Sequence, residues 1–99
     1  MKAAAAKCRE CIKVCDTTYR LFSYVEDRQW LCQAIRECIE ACQRCAAECE
    51  SGSMNVIPAI ECADACKECI YACEGFDDNA TKACKKMCEE CQTSCNTLF

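Results

Sequence analysis

The chain has 99 residues with 16 cysteines, one proline, two glycines and no histidine. Its 12 basic and 16 acidic side chains leave a net charge of −4, which speaks against a nucleic-acid partner because phosphate binding needs a basic patch. Nothing approaches the ~18 apolar residues of a membrane span, and the missing histidine removes the commonest general base and any Cys–His nucleophile.

In chain order, the pattern predicts a first helix over residues 3–25, a tight Glu26-Asp27 turn, and a second helix over 28–50 with Asp27 available as its cap. Ser51-Gly52-Ser53 ends that helix, with Gly52 near the C′ position. A third helix is expected over 57–74, with Pro58 tolerated in its first turn and Gly75 at its close. Asp77-Asp78-Asn79 offers caps for a fourth helix over 78–96. Four amphipathic helices with short connections predict a single all-α domain over 1–99, an antiparallel up-down-up-down four-helix bundle. The apolar stretch after Met1-Lys2 is too short for a signal peptide, so a cytoplasmic location is expected unless a leader has been removed.

The cysteines repeat a formula. C-x3-C-x2-C-x3-C occurs at Cys38-Cys42-Cys45-Cys49, Cys62-Cys66-Cys69-Cys73 and Cys84-Cys88-Cys91-Cys95. Cys8-Cys11-Cys15 fits the same frame with Ala4 in the first position. Steps of four and three are the a/d steps of a heptad, and at about 100° per residue each block covers only ~60° of helix circumference. Cys32 falls roughly 120° off the stripe of its own helix. Beyond the cysteines, the stripes continue through Tyr19, Phe22, Leu31, Ala34, Ile35, Phe76 and Ala80, which an antiparallel bundle gathers into an apolar plug at one end. The opposite end collects both termini, Cys49, Cys62, Cys95 and the Ser51–Asn55 loop with Met54.

A core of fifteen such thiols is hard to read as packing alone, because cysteine fills less volume than leucine. Disulfide frameworks are usually loop-rich, and cysteines at i, i+4 of a helix do not pair readily, although bridges between helices remain open. Iron–sulfur clusters sit in loops that wrap their sulfurs. A zinc held by four thiolates carries two negative charges, so a core full of such sites faces a severe desolvation cost. Copper(I) with one thiolate per metal is neutral, and it accepts bridging sulfurs at helical i, i+3 and i, i+4 spacing. Zinc or cadmium storage and a disulfide-stapled helical interaction module stay as alternatives.

The three full blocks, the shorter 8–15 block and the four-helix layout together resemble the bacterial copper storage proteins. That resemblance implies storage without catalysis, metal access at one open end and a homo-tetramer. Members often carry His or Met near the open end; here there is no His, and Met54 is the one loop candidate.

The expected ligands of multiple copper(I) ions are Cys8, Cys11, Cys15, Cys38, Cys42, Cys45, Cys49, Cys62, Cys66, Cys69, Cys73, Cys84, Cys88, Cys91 and Cys95. Met54 is the expected access point. Cys32 is expected to be peripheral, and Met87, ~60° off its stripe, to fill a gap or add a thioether. A copper chaperone or a low-molecular-weight thiol is the expected delivery partner. Ile12, Ile39, Ile60, Ile70 and Tyr71 lie off the seam and offer a contact face between protomers.

Overall fold

A computed structural model describes residues 2–99 and builds them from four α-helices: α1 (Lys2–Phe22), α2 (Gln29–Ser51), α3 (Ile57–Cys73) and α4 (Asn79–Asn96). Each helix packs against two neighbours, in the cyclic order α1, α2, α3, α4. The cross-helix pairs join the start of one helix to the end of the next. Arg9 meets Glu50 at 2.6 Å, Lys7 meets Glu90 at 2.9 Å, and Thr18 donates to the Ala80 carbonyl at 3.3 Å. Cys38–Cys66 and Cys42–Cys62 run in opposite senses along α2 and α3, as do Cys62–Cys91 and Cys69–Cys84 along α3 and α4, so neighbouring helices are antiparallel in a bundle 40 Å long and under 20 Å across.

Local chemistry explains the helix ends. Gly52 stops α2 with φ 78°, a left-handed conformation that costs an L side chain strain, and Ser53 N–H closes back on the Glu48 carbonyl at 3.2 Å. Pro58 sits in the first turn of α3, where no helical partner for its nitrogen is needed, and Asn55 Oδ1 accepts the Ile57 N–H at 3.1 Å. Asp78 caps α4 by accepting the Thr81 N–H at 3.0 Å.

Two local expectations change. Helix α1 stops at Phe22, short of Val25, because Val25 N–H turns back to the Phe22 carbonyl and the chain enters a 3-10 turn at Glu26–Arg28. Asp27 lies inside that turn and does not cap α2; Gln29 instead donates its side-chain amide to the Ser23 and Val25 carbonyls at 3.1 and 2.9 Å. Gly75 follows directly on the end of α3, as expected, without a left-handed backbone. Its φ is not positive, and Phe76 N–H closes the turn on the Cys73 carbonyl.

The core alternates cysteine with alanine. Ala41, Ala46, Ala63 and Ala72 are buried beside the cysteine stripes, so the helix backbones approach closely and turn the thiols inward. Leu31 and Ile35 are the two large aliphatic residues with no exposure, each worth about 1.5–3 kcal/mol of burial. Of the off-seam residues, Ile12, Ile39 and Ile70 are half-buried against the core edge, while Ile60 and Tyr71 are exposed. The Tyr71 ring meets Trp30 edge-on at 5.9 Å.

Candidate metal centre

All sixteen cysteines are buried and free. Thirteen of them form five overlapping cages of four sulfurs, each with its sulfurs within 4.8 Å of one another. From the open end inward these are Cys8-Cys45-Cys62-Cys95, Cys8-Cys42-Cys62-Cys91, Cys11-Cys38-Cys42-Cys66, Cys11-Cys15-Cys38-Cys88 and Cys15-Cys69-Cys84-Cys88. The closest sulfurs are Cys42 and Cys62 at 3.6 Å, followed by Cys11–Cys15, Cys15–Cys84 and Cys38–Cys66 at 3.7 Å. Two metal–sulfur bonds of about 2.3 Å span such separations, so metal ions fit between existing thiols without rearranging the helices. Successive cages share members, which favours ions that accept bridging sulfur.

The thiols also act on one another. Cys15 lies 3.7 Å from Cys11; its S–H stabilises the Cys11 thiolate and lowers Cys11 to about 7, while Cys15 itself is pushed up by the same bond. The nearby thiols of Cys11, Cys15, Cys42 and Cys66 hold Cys38 below the ordinary thiol range. Burial raises Cys49 to about 11. Cys11 therefore gives up its proton more readily than Cys49 at the open-end rim.

Two expected ligands, Cys49 and Cys73, lie outside the cages. Cys49 is 7% exposed and lines the open end; Cys73 is buried at the far end, where the neighbouring Cys69 and Cys84 thiols push it up. Cys32 is buried but likewise outside every cage among the described residues, and the Arg28 charge partly offsets the rise that burial imposes on it. Its displacement from the stripe was legible in the helical spacing. Met87 is buried in the core cluster.

The two ends differ, though not as hydrocarbon against thiol. At the closed end, Arg28 reaches across from the α1–α2 connection. Its guanidinium lies 4.1 Å over the Phe22 ring and 3.8 Å over the Phe76 ring, pairs with Asp78 at 2.9 Å and donates to Thr81 Oγ1 at 3.0 Å. Thr18 and Thr81 are buried there, beside Leu31 and Ile35. The expected apolar plug is thus clamped by a cation, which sequence reasoning missed because Arg28 reads as an ordinary turn charge. At the open end a cavity of about 230 Å³ leads to Cys45 and Cys49, with Met54, Pro58, Leu98 and Glu48 on its walls. Met54 is 86% exposed at this mouth. Asn55 and Val56 also line it.

Overlapping cages of free thiols inside a four-helix bundle define a thiolate metal-binding bundle. The family described as copper storage protein matches residues 1–76, and the chain belongs to that family. No curated protein and no solved structure matches the chain. Helix α4 lies beyond the matched residues yet supplies a thiol to four of the five cages, so it completes the same core. Among the described residues, no helix is long and apolar enough to cross a membrane.

Proposed function

We propose that this protein stores and buffers multiple copper(I) ions on the thiolates of its core. The observation that carries the reading is the sharing of sulfurs between successive cages. Isolated four-thiolate zinc sites would each bring two negative charges into an apolar interior and would gain nothing from shared ligands. Copper(I) bridged by thiolates approaches neutrality and can occupy a continuous ladder. In this reading the fifteen stripe cysteines are the ligands, Cys32 stands aside, and Met87 fills space. Copper enters past Met54 and leaves by the same mouth, since Arg28 and its aromatic neighbours block the other end. Reduced thiols in this number suit the cytoplasm, with copper delivered by a chaperone or a low-molecular-weight thiol. The protein performs no catalysis, and a homo-tetramer is its proposed assembly.

The test is an anaerobic titration of the fully reduced protein with copper(I), followed by thiolate absorption in the presence of a competing chelator. Storage requires uptake on the order of one copper per core thiol. Saturation at about four zinc ions with no tight copper(I) binding would replace the reading with zinc or cadmium storage. Few titratable thiols under denaturing, non-reducing conditions would replace it with the disulfide-stapled module.

A further inference from the structure

The thiol–thiol hydrogen bonds of 3.6–4.0 Å fall into two sets. The open-end set is Cys8, Cys42, Cys45, Cys62, Cys91 and Cys95, joined by seven contacts of 3.6–4.0 Å. The closed-end set runs from Cys66 through Cys38, Cys88, Cys11 and Cys15 to Cys84 and Cys69, joined by contacts of 3.7–4.0 Å. Consecutive cysteines straddle this waist without sharing a cage: Cys8 and Cys11 on α1, Cys88 and Cys91 on α4. One cage crosses it. Cys11, Cys38 and Cys66 belong to the closed-end set, and Cys42 is the single open-end thiol that shares their cage.

From this geometry we infer that Cys42 is the relay through which metal passes between two storage compartments. The inference rests on the copper storage reading and specifies its internal route. A bare cation cannot cross an apolar interior, so a copper ion must gain its next sulfur before it gives up the last. Cys42 lies 3.6 Å from Cys62 and 3.8 Å from Cys91 on one side, and within 4.8 Å of Cys11, Cys38 and Cys66 on the other. In the crossing step the copper–sulfur bond to Cys42 persists. The bond to Cys62 or Cys91 breaks and one to Cys11, Cys38 or Cys66 forms. The arriving thiol loses a proton, the departing thiolate takes one up, and copper stays in the +1 state throughout.

The experiment adds a sub-saturating amount of copper(I) to reduced protein under anaerobic conditions. Aliquots are quenched in denaturant with an alkylating agent at successive times, and peptide mass spectrometry reads which cysteines are protected. The variants are Cys42→Ser, nearly isosteric and a poor soft ligand, and Cys42→Ala. Cys69→Ala is the control, since it removes one terminal thiol of the closed-end set and leaves the waist intact. Helical circular dichroism establishes that each variant folds, and the serine variant decides if the alanine one does not. The expected result is normal protection of one set in the Cys42 variants and protection of the other at least about tenfold more slowly, a barrier increase near 1.4 kcal/mol. In the wild type and Cys69→Ala both sets fill at similar rates. Wild-type filling rates for both sets in the Cys42 variants overturn the relay and leave storage standing, as does equal slowing in Cys69→Ala. An unprotected wild type overturns storage itself and the relay with it.

Discussion

Arg28 and Asp78 tie together the two connections at the closed end of the bundle, guanidinium Nη2 to carboxylate Oδ1 at 2.9 Å. The α1–α2 turn and the α3–α4 turn are far apart in sequence, and this pair, with the Arg28 guanidinium over the Phe22 and Phe76 rings, joins them. Both side chains are largely covered, Arg28 to 15% exposure. Arg28→Ala should therefore lower the stability of the metal-free protein by about 1–3 kcal/mol, through loss of two cation–ring contacts and a hydrogen bond to Thr81. Arg28→Lys should recover only part of it, because an ammonium cannot lie flat between two rings. Urea unfolding measures both, and unchanged midpoints would show that the clamp contributes nothing.

The same pair sets an acid limit on the metal-free protein. Burial pushes the Asp78 carboxyl up, but the Thr81 backbone and side-chain donors and Arg28 outweigh it and hold it below its ordinary 3.8. A depressed folded value means the stabilisation is present above 3.8 and is lost as the pH falls through the lower folded value. Asp78→Asn keeps a capping oxygen and removes the charge. It should flatten that part of the stability–pH curve, by about 1 kcal/mol or less for a partly exposed pair. An unaltered curve between about pH 2 and 5 would place the acid sensitivity elsewhere.

Loading should weaken as pH falls, since every thiol that takes up copper must give up its proton. Cys49, raised to about 11, demands far more proton release than Cys11 at about 7. Cys11 should consequently hold copper to lower pH than Cys49. Chelator competition at several pH values, combined with alkylation mapping, checks the order; Cys49 outlasting Cys11 would reverse it.

Met54 stands 86% exposed at the mouth of the open-end cavity. Met54→Ala should slow copper uptake and leave capacity unchanged, as measured by stopped-flow thiolate absorption and by equilibrium titration. Phe22→Ala should not accelerate uptake while Arg28 still covers the closed end. Acceleration by Phe22→Ala larger than the slowing by Met54→Ala would place the access route at the opposite end.

Cys32→Ala should leave copper capacity intact, because Cys32 belongs to none of the cages and sits on the flank of α2. Bound copper should stabilise the fold, by about 2.7 kcal/mol per site at a hundredfold excess over the dissociation constant. Cys32→Ala should preserve that gain and Cys38→Ala should diminish it. Thermal melts at fixed copper loading separate the two.

Much of this was written along single helices. The four-three-four cysteine spacing places fifteen thiols on four narrow stripes whatever surrounds them, because helical periodicity is a local property of the chain. The same periodicity sets Cys32 aside, and Gly52, Pro58 and Asp78 mark helix ends through local backbone chemistry. The tertiary structure alone decided which thiols meet. Cys42 shares a cage with Cys11 and Cys66 while Cys8 and Cys11, one helical step apart, do not share one. That depends on how far each helix slides along its neighbours, which side-chain packing across the whole bundle sets and no spacing within one helix encodes. The place of Arg28 between Phe22 and Phe76 has the same origin, since three segments remote in sequence come together only once the helices are assembled.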